Sequence, residues 1–323
     1  VVEIAHARKI TNVRGAKMKK IGLHSFDKTK FPNLALMKLS NYYKSNGYKV
    51  EWVQEDAEYE KVFASQVFTY TEATFPVTFR VQEIIVGGSG RSLSLTLEEE
   101  IEHTRPDYSL YNTDYSMGFV TRGCFRSCEW CIVREKEGTL KPHATVDEFL
   151  VHDKVVLLDN NILGHSHGIR QVEVLASRKV KVDFNQGLDA RLIDHSVAKI
   201  LAKLKFIKKV RLACDRPEDI EHIRRAVELL RWYNVTPRSY SVYVLVRDVD
   251  EALERVRFLK GMNLEPFAQP YIDREGTPPT QLQKDFARWV NHSPIFKSTT
   301  WETYEPRKGR PKGVAKGEQG YTQ

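Results

Sequence analysis

The sequence predicts an α/β protein built on parallel strands, organised in two parts. Three observations lead there. Short apolar runs recur at strand length, stretches with helical apolar spacing lie between them, and glycine or Asx residues mark the joins. Strand, helix, strand in strict alternation is the pattern of parallel sheets covered by helices, because a parallel pair needs a long crossover.

In the first part, "KIGLHS" is a short apolar run suited to a buried strand. "NLALMKLSNYYKSNGY" places Leu34, Met37, Leu39, Tyr42 and Tyr43 at helical spacing, and Gly47 offers a stop. "KVEWV", "KVFAS" and "EIIVGG" supply three more strands, the last closed by a glycine pair. A small parallel α/β domain over 18–112 is expected.

The second part repeats the strand–helix rhythm five or six times. Its expected strands are "MGFVTR", "KVVLLDNN", "KVDFNQ", "KVRLAC", "YSVYVLV" and "EPFAQPY". Thr145 with Glu148, and Asp248 with Glu251, have the spacing of capping boxes. Ile220, Ile223, Val227 and Leu230 share one helical face. Gly261 is placed to cap the helix "VDEALERVRFLKG". Six such units suit a curved, partly closed barrel or an open doubly wound sheet.

Composition narrows the class. The chain has 323 residues, 41% of them hydrophobic, enough to build a sizeable core. No apolar run reaches membrane-spanning length, and the start "VVEIAHARKI" lacks the parts of a secretory signal, so no membrane association and a cytoplasmic setting are expected. Met18 in "MKKIGLHS" reads as a natural start, which makes 1–17 an extension outside the core. The segment 291–323 is basic, and from about Pro306 "PRKGRPKGVAKGEQGYTQ" reads as a flexible tail. The net charge of +8 fits either an anionic partner or a solvated surface.

Cysteine is rare here, with four in all, and three stand together in "TRGCFRSCEWCIV". Cys124, Cys128 and Cys131 have the spacing C-x-x-x-C-x-x-C. Clustered thiols without a disulfide framework point to a soft metal. His143 could complete a Cys₃His zinc site. An iron–sulfur cube takes one ligand per iron, so three thiolates would leave one iron open.

With Trp130 in the aromatic position before the last cysteine, and a strand and "TRG" turn before the first, the motif resembles that of the radical S-adenosylmethionine superfamily. The resemblance covers about 113–275. Over 18–290 the chain looks like a bacterial and phage group within that superfamily, on the stretches "FPNLALMK", "PDYSLY" and "FNQGLDARL". It implies a partial (β/α)6 radical SAM barrel over 113–290, preceded by a Rossmann-like, cobalamin-binding-like domain. It also implies one 4Fe-4S cluster on Cys124, Cys128 and Cys131, and an open iron that chelates S-adenosyl-L-methionine. Reductive cleavage would give a 5′-deoxyadenosyl radical that abstracts hydrogen from a substrate. A flavodoxin or ferredoxin would donate the electron.

The same resemblance points to Asp159, Asn160 and Asn161 for the methionine amino group, with an Asx turn as the structural alternative. Gln186 and Asp189 are candidates for the ribose, and Arg191 for the carboxylate or substrate. Asn185 lies in the same strand end, and Asp194 reads as the cap of the next helix. Cys214 reads as a buried small hydrophobe, Asp215 as a helix cap or ligand, and Gln269 and Tyr271 as cavity lining. His165 and His167 sit between glycines and read as a loop.

The glycine pair of "EIIVGGSG" is similar to one that ends a strand in cobalamin-binding domains, yet the D-x-H-x-x-G element is absent and His24 and Asp27 stand in the wrong order. Cobalamin is therefore a secondary expectation. No cysteine precedes Cys124 and none follows Cys214, which argues for a single cluster and against sulfur insertion. Two further readings remain open: a radical enzyme acting on nucleic acid, suggested by Arg307, Lys308, Arg310, Lys312 and Lys316, and a non-catalytic zinc-binding module.

Overall fold

A computed structural model describes residues 20–235 and 239–306. The expected extension over 1–17 and the tail beyond Pro306 lie outside the described residues. The chain divides into two compact units between Thr113 and Asp114.

Unit 1 starts with β1 (Lys20–Ser25), α1 (Leu34–Ser45) and β2 (Lys49–Trp52). It continues with β3 (Glu58–Ser65), β4 (Arg80–Gly87) and the single turn α2 (Glu99–Glu102). The four strands are parallel in the order β2-β1-β3-β4. The Asn33 side chain accepts from Leu36 N and starts α1. Gly47, at φ +80°, takes the left-handed turn after it. Leu36 and Leu39 then pack on Ile21, Leu23 and Phe63. The β3–β4 connection, 66–79, carries no helix.

Unit 2 opens with β5 (Ser116–Gly118), β6 (Thr121–Arg122), α3 (Val133–Glu137) and β7 (Lys141–Pro142). Then come β8 (Lys154–Leu157), α4 (Ser166–Ser177), β9 (Lys181–Phe184), α5 (His195–Leu201) and β10 (Lys205–Phe206). The chain proceeds through β11 (Lys209–Ala213), α6 (Asp219–Trp232), β12 (Ser239–Val246), α7 (Val249–Gly261) and β13 (Glu265–Pro270). It closes with α8 (Gln281–Asn291) and α9 (Ser293–Ser298). One parallel sheet has the order β10-β9-β8-β5 and a second β11-β12-β13. The bridge Leu188↔Leu212, with Leu188 N donating to Arg211 O at 2.8 Å, joins them just past β9. The observed class is α/β with parallel sheets.

Strand alternation sets the layers. Val182, Phe184, Val210, Leu212, Val242 and Val244 are buried in the main core with the apolar faces of the helices. Asp183, Arg211 and Tyr243 alternate with them and lie on the other face. There the Arg211 guanidinium donates to both Asp183 oxygens at 2.7 and 2.6 Å and to the Tyr243 hydroxyl at 3.0 Å. The pair ties β9 to β11 across the seam between the sheets.

Several expectations are corrected. "MGFVTR" is two strands: β5 ends at Gly118, and Thr121–Arg122 turns away to pair antiparallel with Lys141–Pro142. Thr145 makes no side-chain cap, and Val146–Glu148 is a single 3₁₀ turn whose first N–H donates to Gln171 instead. Asp248 does cap α7, accepting from Glu251 N, while Gly261 lies inside that helix and Met262 follows as its cap. His165 and His167 are not a loop. His165 caps α4 by accepting from His167 N at 3.0 Å, and His167 lies in the first turn. Within the basic C-terminal segment, ahead of the expected tail, Phe296, Trp301 and Tyr304 pack with Phe286 and Trp289.

Candidate functional site

The cysteine loop springs from the carboxyl edge of β5, and the short β6–β7 pair clamps its base. Gly123 makes the turn possible. Its φ is +81°, and a Cβ there would stand 2.4 Å from the Thr139 carbonyl oxygen, so only glycine fits. Glu137 fastens the far end, accepting from Gly123 N at 2.9 Å and Asn160 Nδ2 at 3.0 Å and pairing with Arg122 at 3.3 Å.

Within the loop the three thiols are free, Cys124 and Cys128 half-buried and Cys131 exposed. Cys131 N donates to Cys128 O at 3.0 Å, a tight turn that keeps the second and third thiols together. The Cys124 sulfur accepts from Arg126 N at 3.3 Å and from Asn161 Nδ2 at 3.6 Å. Burial pushes the Cys128 thiol up, and the nearby Arg216 and Arg191 charges pull against it. Burial likewise pushes the Cys131 thiol up.

Contacts from the loop run to the carboxyl ends of the other strands. Asp189, after β9, pairs with Arg126 at 3.0 Å and Arg191 at 2.7 Å and accepts from Asn161 at 3.4 Å. Burial pushes its carboxyl up, and the two guanidiniums more than offset that, so it titrates below the usual carboxylate range. Past β12, Arg247 pairs with Glu129 and lies 5.4 Å from the Trp130 ring and 5.9 Å from Tyr271. Past β13, Arg274 pairs with Glu135. In open parallel sheets this carboxyl edge is where ligands bind.

Two amide atoms at this edge are unsatisfied. Asn161, 4% exposed, has a buried Oδ1 with no hydrogen-bond donor, and Asn185, 7% exposed, has a buried Nδ2 with no acceptor. A buried amide group without a partner costs on the order of 1–3 kcal/mol. Glu60 Oε2 and Thr113 Oγ1 are likewise buried without a partner, but only the two amides lie at this carboxyl edge.

The residues singled out in the sequence separate into groups. Asn161 faces the loop, and Asp189 and Arg191 are joined to it through Arg126. Asp159 serves the fold: its buried carboxylate accepts from Val120 N, Thr121 N and Thr121 Oγ1 and sets the β5–β6 turn. Asn160 is held by Glu137. Gln186 is exposed and Gln269 half-buried. Cys214 is fully buried, its thiol pushed up to about 12 by burial. Asp215 is not a helix cap. It accepts from Leu245 N at 3.0 Å, and Asp219 instead takes the N–H groups of Asp215 and Arg216. Asp194 does cap α5, through Val197 N at 2.8 Å. Sequence reasoning passed over Glu137, Arg126 and Arg247; an acid and two arginines at irregular spacing give no signal before the loop is folded.

Among the described residues, no three His, Cys, Asp or Glu side chains are grouped to hold a metal ion. His165 and His167 are engaged elsewhere, His167 with the Ala144 carbonyl at 2.8 Å. A cavity of about 410 Å³ lined by Lys181, Lys205 and Lys208 sits at the starting edge of β9 and β10, opposite the loop.

In unit 1 the edge between β1 and β3 is filled by the protein itself. Asp27, 5% exposed, accepts from Val67 N at 2.6 Å, Phe68 N at 3.2 Å and Thr71 Oγ1 at 2.8 Å. A Cβ on Gly88 would stand 2.3 Å from the Gln66 carbonyl oxygen, and one on Gly90 2.5 Å from the Phe68 carbonyl carbon. These glycines let two backbone segments pack together. No family model matches the chain, and no curated protein matches it.

Proposed function

We propose that the chain is a radical S-adenosylmethionine enzyme with one 4Fe-4S cluster held by Cys124, Cys128 and Cys131. The observation that carries the reading is the unsatisfied Asn161 amide against the Cys124 sulfur, with a second unsatisfied amide, Asn185, at the next strand end. Asn161 Oδ1 calls for a donor and Asn185 Nδ2 for an acceptor. An α-amino-acid end offers both, an ammonium for the first and a carboxylate for the second. Each thiolate of a cube ligates a different iron, so the three sulfurs need not converge on one point as zinc ligands do. Strands β5, β8 and β9 follow one another in the first sheet and β11, β12 and β13 in the second, with one bridge between the sheets, an order that a partial (β/α)6 barrel would also have.

A cluster held by Cys124, Cys128 and Cys131 would supply the electron for reductive cleavage of S-adenosylmethionine and so the means of hydrogen abstraction from a substrate. The chain's own residues do the rest. Arg126 N–H and Asn161 Nδ2 donate to the Cys124 sulfur, and such hydrogen bonds tune a cluster's potential. Asp189 holds Arg126 and thereby the loop. Arg247, over the Trp130 ring and paired with Glu129, ties the loop to the end of β12.

Anaerobic reconstitution tests this directly. The protein should take up about four iron and four sulfide. Alanine at Cys124, Cys128 or Cys131 should abolish that uptake, and alanine at Cys214 should not. With dithionite and S-adenosylmethionine the loaded protein should release 5′-deoxyadenosine. A loaded, reducible cluster that yields none would overturn the proposal.

A further inference from the structure

The loop joining β3 to β4 carries a feature that the thiol chemistry does not use. Its sequence, "QVFTYTEATFPVTF", is rich in aromatics. Phe75 and Phe79 turn inward, packing in a chain with Phe26, His24 and Tyr59. Tyr70 does the opposite, while Phe68 is half-buried. Their rings stack on each other, centroids 5.2 Å apart at an interplanar angle of 17°, and Tyr70 is 56% exposed. An outward-facing stacked pair has an open π-face, and water is a poor partner for it.

The surroundings are cationic. Lys28 follows Asp27, whose carboxylate holds the backbone of Val67 and Phe68. Arg91 follows Gly90, whose N–H donates to Gln66 O at 3.0 Å. Lys28, Lys30 and Arg91 are all exposed. None forms an ion pair, ring contact or side-chain hydrogen bond among the described residues, whereas the exposed Lys49 and the half-buried Lys61 and Lys154 pair with carboxylates. The exposed acid within the loop is Glu72. The Asp27 carboxylate is buried and taken up by three donors.

We infer that this edge of unit 1 binds single-stranded nucleic acid, with a base stacked on Tyr70 and backbone phosphates on Lys28, Lys30 and Arg91. A sequence-tolerant strand site combines an aromatic platform with a cationic track, and both are present here. Paired bases in a duplex have their faces covered, so the platform selects against double strands. The inference does not rest on the cluster, and its test needs neither iron nor S-adenosylmethionine.

The test is fluorescence anisotropy of a labelled oligo-uridine and oligo-thymidine, against a duplex of equal length, with the full chain at low salt. Both single strands should bind, the duplex more weakly. Tyr70→Ala should weaken single-strand binding by about tenfold and Tyr70→Phe should preserve it. Lys28→Ala and Arg91→Ala should each lower the slope of log K against log salt by about 0.7. Cys124→Ala should bind like the parent, so failure of the cluster chemistry and failure of this site register separately. Three results would overturn the inference: equal duplex affinity, binding unchanged by Tyr70→Ala but lost on neutralising Arg307, Lys308, Arg310, Lys312 and Lys316, or equal competition by polyglutamate, which would mark an acidic-peptide site.

Discussion

At Gly123 one missing carbon decides whether the cysteine loop can form. With φ at +81° and the Thr139 carbonyl oxygen 2.4 Å from the position of any Cβ, Gly123→Ala must move backbone rather than side chain. The variant should lose about 1–3 kcal/mol from strain and hold much less iron after reconstitution, with its far-UV circular dichroism retained. Asp159 makes a different residue-scale prediction. Burial pushes its carboxyl up to about 6, against the hydrogen bonds from Thr121 and Val120. A carboxyl raised on folding contributes stability that is present below its unfolded value of about 3.8 and lost as pH rises through about 6. Asp159→Asn cannot ionise. Relative to the parent it should therefore gain about 2–3 kcal/mol between pH 4 and pH 7, read from urea midpoints at the two pH values.

Elements show where the sequence could be read and where it could not. Helix α6 is legible because its apolar spacing is also its buried face: Ile223, Val227 and Leu230 are all fully buried. In α1 the match is partial, with Met37 and Leu39 buried and Leu34, Tyr42 and Tyr43 half-buried. Strands β8, β9, β11, β12 and β13 were legible as apolar runs. Strands β6, β7 and β10 were not, since two residues carry no period. Thr145 and Glu148 have the letters of a capping box, but the chain there makes one 3₁₀ turn, and its N–H is claimed by Gln171 from α4. A tertiary partner of that kind is invisible to local spacing. The same limit applied at the site. The cysteines announced themselves by spacing, whereas the division of labour among Asp159, Asn160 and Asn161 depends on which way each side chain leaves the strand end. At the other end of unit 2, Thr280 and Gln283 form a capping box with both halves made. Thr280→Ala should cost about 1 kcal/mol, seen as a lower thermal midpoint, because α8 anchors the aromatic cluster of Phe286, Trp289 and Trp301.

For unit 2 as a whole, the seam between its two sheets is the place to probe. Arg211 satisfies both oxygens of Asp183 there, and the side chains are only 26% and 15% exposed. Arg211→Met would leave the Asp183 carboxylate largely buried without its partner and should cost about 3 kcal/mol or more. Adding Asp183→Asn should recover part of that loss, which a thermal-melt double-mutant cycle would show. Elsewhere each strand is laddered to its neighbour residue by residue, and a ladder fixes both position and angle. At the seam the ladder thins to one bridge, Leu188↔Leu212, beside Gly187 at φ +85°. With so little backbone pairing at the joint, side chains hold the two sheets together: the Asp183–Arg211 pair and Tyr243, which donates to the Asn185 carbonyl, on one face, and a shared apolar core on the other. The strand ends carrying Asn161 and Asn185 belong to one sheet, those carrying Asp215 and Arg247 to the other. Their spacing is therefore written in a handful of side chains, which substitution can change, and not in a backbone ladder, which it cannot.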